Sequence, residues 1–226
     1  MIYQIVIPAR GGSKRLPGKN LRLLGNHPLI VHTILFALES FPKESIWVNT
    51  DDLGIAETAS LYGVQITFRP IELGFDTVST VDVLSYQVDE FKKNNINCDA
   101  IILLQATNPF RPNGLIEDSI CFFENEKRGS LASFSSLNRK YGKIKNNYFS
   151  PINYVPGQRM QDIEPEYFEN GLIYITKKEY IMNKLVVTND VYPLLIDSLE
   201  SLVDIDEASD LLFAEFVFNQ IKKNNL

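Results

Sequence analysis

Five basic side chains are concentrated in a short glycine- and proline-rich stretch near the N-terminus. They are Arg10, Lys14, Arg15, Lys19 and Arg22. No Asp or Glu occurs among the first 38 residues. Gly11 and Gly12 permit a tight turn that brings backbone N–H groups close to phosphate oxygens. Ammonium and guanidinium groups neutralise phosphate charge, and arginine adds forked hydrogen bonds. The stretch therefore predicts a binding site for a small anionic ligand.

The spacing within this loop differs from two well-known phosphate-binding motifs. Five residues separate Gly12 from Gly18, where a Walker A loop has four, and Asn20 stands in place of its Ser or Thr. The glycines also do not follow the G-x-G-x-x-G pattern. The alternative is a solvated basic turn without a ligand. Five bases directly after the first predicted strand favour the ligand site, because ligands bind at the carboxyl ends of such strands.

A second chemical feature lies near the other end of the chain. Asp204 and Asp206 are two residues apart in a segment that is predicted to be extended, so both carboxylates point to one face. Two such oxygen donors suit Mg²⁺, which also keeps water ligands and accepts substrate phosphates. The alternative is that the pair caps the helix that is predicted to start at Glu207, and the two roles can coexist. The pair is therefore a candidate metal site.

The elements that must position these groups follow an alternating pattern. Strands are predicted at residues 2–7, 45–49, 64–68, 100–104, 131–135, 172–175, 191–196 and 202–205. Helices are predicted from about Pro28, after Asp52, from Thr80, after Gly114 and from Glu207. This alternation predicts a single α/β domain over residues 1–226, with a doubly wound, mostly parallel sheet. Residues 138–170 show little periodicity, and we interpret them as an inserted arm or lid.

Composition excludes several classes of protein. The chain has 226 residues, 45% of them hydrophobic, which argues against disorder and against a disulfide-stapled miniprotein. Its net charge of −6 argues against a nucleic-acid-coating surface. Cys98 and Cys121 are predicted to be reduced thiols, and His27 and His32 to be structural. No apolar run suits a membrane span and no signal peptide is visible, so we expect a cytoplasmic protein without membrane or nucleic-acid partners.

The loop and later motifs resemble the acylneuraminate cytidylyltransferases, the family of CMP-sialic acid synthetases and of related nonulosonic acid enzymes. The matching segments, in family order, are Ile7–Asn20, Arg69–Leu73 with Asp76–Val83, the L-L-Q-x-T-x-P-x-R segment Leu103–Arg111, Arg159–Asp162 with Tyr167 and Asn170–Tyr174, and Asp204–Asp206. The resemblance thus extends over most of the chain. It implies an enzyme that joins CTP to an acidic 2-keto-3-deoxy sugar and releases pyrophosphate.

The resemblance also implies roles for individual residues. The nucleotide side comprises Arg10, Gly11, Gly12, Ser13, Lys14, Lys19, Asn20, Arg69 and Thr80, with Arg69 and Thr80 on the cytosine. The sugar side comprises Gln105, Arg159, Gln161, Tyr167 and Asn170. The expected catalytic groups are Arg10, Lys19, Asp204 and Asp206, the last two holding Mg²⁺. Arg159 is the preferred partner for the sugar carboxylate, with Lys140 and Lys143 as alternates. A homodimer formed through the arm is expected.

Several alternatives remain open from the sequence. Arg15–Lys19 is also similar to the synthetases of the eight-carbon acid Kdo, whereas Asn20 and Asn170–Tyr174 favour the nonulosonate branch. A non-catalytic nucleotide-sensing module is a second rival. Asp51 and Asp52 could attract another metal ion, but helix capping is the preferred interpretation and they are left out of the site.

The sugar itself is not specified by the sequence. Met160 stands where many relatives carry an arginine, and Ala106 and Asn108 replace a more usual proline and serine. All three differences fall on the sugar side. No residue is a convincing general base.

Overall fold

A computed structural model describes residues 1–224. Its strands are, in chain order, β1 (Tyr3–Pro8), β2 (Leu23–Leu24), β3 (His27–Pro28), β4 (Ile46–Thr50), β5 (Gln65–Phe68), β6 (Ala100–Leu103), β7 (Ser130–Ser136), β8 (Gly142–Lys145), β9 (Tyr148–Pro151), β10 (Tyr167–Lys177) and β11 (Tyr192–Leu195). Its α-helices are α1 (Leu29–Ser40), α2 (Leu53–Ser60), α3 (Thr80–Lys93), α4 (Leu115–Glu126), α5 (Lys178–Met182) and α6 (Ala208–Asn224). None of these helices, within the described residues, has the length and apolar character that crossing a bilayer requires.

Seven strands form the main sheet, in the order β11-β7-β10-β6-β1-β4-β5. β1 pairs in parallel with β4 and with β6, and β5 and β11 are parallel to their own neighbours. β10 is antiparallel to both β6 and β7. The predicted α/β fold with a mostly parallel sheet is therefore confirmed. β6 is buried along its whole length, which explains its uninterrupted apolar sequence.

Helices cover both faces of this sheet. Side chains alternate between the faces along a strand, so neighbours such as Ile5 and Val6 of β1 enter different cores. Ile5 packs in a cluster with α1, α2 and α4, which includes Ile30 and Phe123. Val6 packs in another cluster with α3 and α5, which includes Leu84. The doubly wound arrangement leaves the carboxyl ends of β1, β4 and β6 open to loops.

A third apolar cluster attaches α6 to the N-terminal loop. Leu16 of that loop is buried together with Val203, Ile205 and Val217. The helix begins at residue 208, close to the predicted start, but residues 203–206 form an irregular segment instead of the predicted strand. Val203 and Ile205 still point inward, so Asp204 and Asp206 face the opposite side. The packing therefore carries the predicted metal pair to the basic loop.

The arm differs from its predicted aperiodic form. β8 and β9 make an antiparallel hairpin, and β10 already begins at Tyr167, before the predicted start at Leu172. The first residues of β10 pair only with β7, because β6 ends before reaching them. They lack an apolar neighbour strand on that side, which explains why the sequence there shows no core periodicity.

Candidate functional site

A central pocket of about 390 Å³ opens at the carboxyl ends of β1 and β6. Of the residues predicted for the site, those that line it are Arg10, Ser13, Lys19, Asn20, Arg69, Thr80, Gln105, Asp204 and Asp206. They come from the loop after β1, the segment after β5, the start of α3, the end of β6 and the segment before α6. The fold thus brings residues from distant parts of the chain to one cavity. This is the position that the parallel sheet predicts for a ligand.

The basic loop is fixed by its own buried residues. Lys19 and Asn20 are buried, and the Asn20 Nδ2 donates to the main-chain oxygen of Arg10 at 2.9 Å. Gly18 takes a left-handed conformation, with φ 66°, just before this turn. Such a backbone favours glycine because a side chain would be strained there. The turn therefore holds the lysine and the asparagine against the pocket.

Two glycines of the loop lie differently from the prediction. Gly11, Gly12 and Lys14 line a second cavity of about 560 Å³ beside the loop, not the central pocket. The N–H of Gly11 donates to the Asp51 Oδ1 at 3.3 Å. Gly11 approaches α2 so closely that a Cβ there would lie 2.4 Å from the Asp52 Oδ2. Glycine is thus required at position 11 for packing, and its N–H group serves the protein instead of a phosphate.

Three buried polar atoms of the central pocket have no hydrogen-bond partner within the described part of the chain. They are Ser13 Oγ, Asn20 Oδ1 and Arg69 Nε. Leaving a buried donor or acceptor unpaired costs about 1–3 kcal/mol, so such atoms require an explanation. All three residues line one cavity, and their side chains carry a hydroxyl, an amide and a guanidinium group. The pocket is therefore equipped for a ligand with both polar and anionic groups.

The cations of the loop are held by an acidic residue at the pocket rim. Arg10 Nη1 lies 2.7 Å from Asp76 Oδ1, and Lys14 Nζ lies 2.6 Å from Asp76 Oδ2. The hydrogen bond from Lys14, with the charges of Arg10 and Lys14, holds the pKa of Asp76 below its ordinary value. A carboxylate thus occupies the space between two cations. The same pair of cations is suited to an anionic group of a ligand.

The predicted metal pair meets the basic loop directly. Lys19 Nζ lies 2.8 Å from Asp206 Oδ1, and Arg15 Nη2 lies 2.6 Å from Asp206 Oδ2. Burial by itself raises the pKa of Asp206, but the hydrogen bond and charge of Lys19, together with Arg15, lower it overall. Burial raises the pKa of Asp204 above its ordinary value, opposed by a hydrogen bond with Thr107, and the charge of Asp206 adds to the rise. Two carboxylates here repel one another.

Helix α6 is capped by a residue outside the aspartate pair. The Asp210 Oδ2 accepts from the N–H groups of Asp206 at 2.9 Å and Glu207 at 2.8 Å. The carboxylate oxygens of Asp206 lie against Arg15 and Lys19, which does not support the capping alternative. The segment is anchored to the loop after β6 by the N–H of Ile205, which donates to the Thr107 oxygen at 2.9 Å. Both carboxylates of the pair remain directed to the central pocket.

The donor set fits a hard divalent cation. The pair supplies two carboxylates next to each other, and a cation between them would relieve their mutual repulsion. No group of three or more His, Cys, Asp or Glu side chains is placed to hold a metal ion within residues 1–224. The remaining ligands would then be water and ligand phosphates, which is the coordination that Mg²⁺ prefers. Asp204 and Asp206 are the residues that would hold it.

Arg69 lines the pocket, and its guanidinium donates to two side chains of the protein. Its Nη1 donates to Asn49 Oδ1 and its Nη2 to Asp51 Oδ1, each at 3.3 Å. Burial lowers the pKa of its guanidinium, and the charge of Asp51 opposes that effect. Asp52 accepts from the N–H of Ile55 and so caps α2 as predicted. Asp51 instead faces Arg69, and for that residue the capping interpretation is wrong.

Gln105 is placed by two residues to which the sequence analysis gave no individual role. Its main-chain oxygen accepts from Arg111 Nη2 at 2.8 Å, and Arg111 Nε donates to the Leu172 oxygen at 2.7 Å. Gly171 has φ 77°, and a Cβ there would lie 2.7 Å from Gln105 Oε1. Burial lowers the pKa of Arg111 to about 9. Its place as the arginine of the L-L-Q-x-T-x-P-x-R segment was the available signal for this internal brace.

The other sugar-side residues are not gathered at the central pocket of the described chain. Asn170 is buried, its Oδ1 accepting from Ser133 at 2.6 Å and its Nδ2 donating to Ser135 at 2.9 Å. Its amide is thus engaged in bracing β7 and β10, and its predicted contact with the sugar stays a prediction. Arg159 is exposed and paired with Asp162 at 2.8 Å.

The remaining predicted sugar contacts lie at the protein surface. Gln161 and Tyr167 are exposed on the arm side. Of the alternates for the sugar carboxylate, Lys140 donates to the Gln158 oxygen, and Lys143 is exposed on β8. As far as the structure describes the chain, it brings none of these four residues into the central pocket. Their sugar contacts stay predictions.

Comparison with known proteins agrees with this geometry. The chain is 37% identical over 218 residues to the CMP-N,N′-diacetyllegionaminic acid synthase of Legionella pneumophila, covering 93% of each chain. It is 31% identical over 215 residues to the N-acylneuraminate cytidylyltransferase of Streptococcus agalactiae, covering 92% of this chain. It spans only 51% of that longer relative.

A solved structure shows the same fold. The CMP:2-keto-3-deoxy-manno-octonic acid synthetase complexed with CTP superposes with a TM-score of 0.71 at 20% identity, covering 96% of this chain and 98% of that one. The family model described as "Cytidylyltransferase" matches residues 4–220, nearly the whole chain. With the loop, the central pocket and the paired carboxylates in place, the chain belongs to the cytidylyltransferase family.

Proposed function

We propose that the protein transfers the CMP group of CTP to the anomeric hydroxyl of an acidic nonulosonic sugar and releases pyrophosphate. The observation that carries the proposal is that Ser13, Asn20 and Arg69, each with a buried polar atom that has no partner in the described chain, line one cavity together with Lys19 and the aspartate pair. A nucleoside triphosphate has the required combination of a polar base, a ribose and a string of anions. The names of the Legionella and Streptococcus relatives support the same reaction.

Within this proposal, the pocket orders the nucleotide from base to phosphates. Arg69 follows β5 and Thr80 begins α3, whereas Arg10 and Lys19 lie in the loop after β1, and all four line the cavity. A guanidinium only donates hydrogen bonds, so it suits the neighbouring O2 and N3 acceptors of cytosine. Uracil presents an N3–H donor instead. Arg69 therefore favours CTP over UTP, while Arg10 and Lys19 bind the phosphates.

The reaction needs positioning and charge stabilisation more than covalent work. The anomeric oxygen forms a bond to the α-phosphorus in line with the leaving group and loses its proton to water, while the bond from that phosphorus to the bridging oxygen breaks and pyrophosphate leaves. Lys19 and Arg10, which line the central pocket, stabilise the negative charge that accumulates on the pyrophosphate. Mg²⁺, when held by Asp204 and Asp206, would neutralise phosphate charge and polarise the α-phosphoryl group. Gln105, with an amide that both donates and accepts, orients sugar hydroxyls.

The proposal includes a homodimer formed through the arm. The arm exposes large apolar side chains, with Ile144 and Tyr148 each 77% exposed and Val155 69% exposed. Apolar groups concentrated on a projecting hairpin are typical of a protein–protein contact. A dimeric mass by light scattering is expected for the purified protein, and a monomer at all concentrations would contradict this part of the proposal. Because CTP is a cytoplasmic nucleotide, the proposal also implies a cytoplasmic reaction.

A sugar panel tests the proposed substrate class. Purified protein is incubated with CTP, Mg²⁺ and, in separate reactions, N-acetylneuraminic acid, N,N′-diacetyllegionaminic acid, a pseudaminic-type acid and Kdo. Pyrophosphate release and the mass of the product are measured. We expect turnover with a nine-carbon acid and at most weak turnover with Kdo. Preferred turnover of Kdo would instead support the eight-carbon alternative, and CTP binding without pyrophosphate release would support a nucleotide sensor.

Replacing Gly171 by alanine is expected to raise the KM for the sugar. The new methyl group would lie 2.7 Å from Gln105 Oε1 and displace that amide, while the left-handed backbone costs about 1–3 kcal/mol of stability. Gly114→Ala is a matched control, because Gly114 has φ 75° and open space around it. Steady-state kinetics and thermal unfolding are measured on both variants. Equal effects on sugar KM in the two variants would contradict the role given to Gln105.

A further inference from the structure

Asp51 has no part in the proposed reaction, but it forms an ion pair with Arg69, the arginine proposed to contact the base. We propose that Asp51 is a positioning residue that aims Arg69 at the nucleobase and ties it to the phosphate loop, so that it sets the preference for cytosine over uracil. The inference rests on the proposed function, in which Arg69 contacts the base of a bound nucleotide. It concerns a residue that sequence reasoning assigned to helix capping and that the structure shows in a different environment.

One carboxylate oxygen joins two segments of the nucleotide site. Asp51 Oδ1 accepts from Arg69 Nη2 and from the N–H of Gly11, each at 3.3 Å. The side chains of Asp51 and Arg69 are only 11% and 3% exposed, so solvent screens this ion pair little. An isolated buried guanidinium would be costly, and within residues 1–224 Asp51 is the carboxylate that forms a salt bridge with it. The aspartate therefore links the base-reading arginine to the loop that carries Arg10.

The second carboxylate oxygen is enclosed by the turn that follows β5. A Cβ at Gly74 would lie 2.2 Å from Asp51 Oδ2, so only glycine permits the carboxylate to sit where it does. Three segments, contributing Gly11, Arg69 and Gly74, thus close around one side chain. A carboxylate held on three sides has a single orientation, and it imposes that orientation on the arginine.

A neutral chain of amides holds the other edge of the guanidinium. Arg69 Nη1 donates to Asn49 Oδ1 at 3.3 Å, and Asn49 Nδ2 donates to Gln87 Oε1 at 2.8 Å. Both terminal nitrogens are thus engaged by the protein, the Nε is left without a partner in the described chain, and Arg69 lines the central pocket. The orientation of the Arg69 guanidinium decides whether its N–H groups meet the N3 acceptor of cytosine or the N3–H donor of uracil. Asp51 supplies the charge that fixes it.

The test measures nucleotide binding, which needs no sugar. Dissociation constants of CTP and UTP with Mg²⁺ are determined calorimetrically for the wild type, Asp51→Asn and Asp52→Asn. In Asp51→Asn we expect CTP to bind about 10–100-fold more weakly, in line with the loss of charged hydrogen bonds, and the CTP-to-UTP preference to fall about tenfold. Asp52→Asn changes the adjacent acid, and asparagine still caps α2, so both constants should remain near the wild-type values.

A double-mutant cycle separates positioning from general damage. In an Arg69→Lys background, adding Asp51→Asn should change the CTP-to-UTP preference by less than about twofold, because the group being aimed is already altered. A merely structural role for Asp51 would weaken both nucleotides equally and give additive effects. That result, or an unchanged preference in Asp51→Asn, would overturn the inference.

A second variant keeps the test decisive if Asp51→Asn does not fold. Gly74→Ala retains every charge but pushes the Asp51 carboxylate from its place, and it should lower the CTP-to-UTP preference in the same direction. An unchanged preference in Gly74→Ala would then overturn the inference. Failure of the proposed function gives a different result: the wild-type protein itself would show no selective CTP binding.

Discussion

Replacing Asp204 or Asp206 by asparagine is expected to lower kcat about 1,000-fold or more. Each change keeps the size of the side chain but removes one of the two negative charges that fit a divalent cation. Loss of charge stabilisation at a phosphoryl group costs several kcal/mol in the transition state. Asp206→Asn also removes the ionic partner that lies 2.8 Å from Lys19 Nζ. Pyrophosphate release at saturating CTP and sugar, measured across a range of Mg²⁺ concentrations, gives both the loss and any shift in metal requirement.

Asp210→Asn is the matched control for these two variants. Asp210 belongs to the same acidic segment, but its carboxylate accepts from the N–H groups of Asp206 and Glu207, and the amide oxygen of asparagine can accept the same hydrogen bonds. Its turnover should stay within a few-fold of the wild type, with the same dependence on Mg²⁺. Full turnover in Asp206→Asn, with an unchanged fold by circular dichroism, would remove the aspartate pair from the mechanism.

Replacing Lys19 by methionine is expected to lower kcat/KM for CTP about 100–1,000-fold. Methionine keeps an unbranched apolar stem, whereas the ammonium group that faces the pocket is lost. The Lys19 side chain is 11% exposed, so its charge acts in surroundings that water screens weakly. Removing a charge donor from a developing anion has an effect of this size. Product inhibition by pyrophosphate should weaken in parallel, since the same group would bind the leaving group.

Arg22→Met provides the comparison for the lysine variant. Arg22 lies in the same basic stretch, but it is exposed, and its Nε donates to the Pro17 oxygen at 3.0 Å instead of lining the pocket. We expect kcat/KM to change less than about threefold. If Arg22→Met and Lys19→Met were equally impaired, the stretch would be acting through its overall positive charge and not through one positioned group.

Much of the site is predictable because its residues are close together in the sequence or follow a strand directly. The loop from Arg10 to Asn20 could be found from base content and glycines, and the position after β1 fixes its place at the sheet edge. Asp204 and Asp206 were candidates from their spacing, which left helix capping open, and the family resemblance favoured the metal role. Alternate packing of Val203 and Ile205 gives the pair the predicted common face even without a strand.

The parts that the sequence could not predict depend on long-range packing. The start of β10 pairs with β7 but extends beyond β6, so its sequence lacks core periodicity, and Asn170 was assigned to the sugar instead of to Ser133 and Ser135. Asp51 and Asp52 are adjacent and chemically identical. Their roles differ because Asp51 contacts Arg69, whereas Asp52 accepts from the backbone of α2.

Position-specific labelling of CTP distinguishes transfer of its α-phosphoryl group to an acidic sugar from every other fate of the nucleotide. The nonulosonic acid preferred in the panel is incubated with the protein, Mg²⁺ and CTP labelled with ³²P at either the α or the γ phosphate. We predict that α-label appears in a sugar nucleotide and γ-label in pyrophosphate, in equal amounts. Release of γ-label as orthophosphate, or CTP that remains intact with every acidic sugar supplied, would show that the protein does not catalyse the proposed transfer.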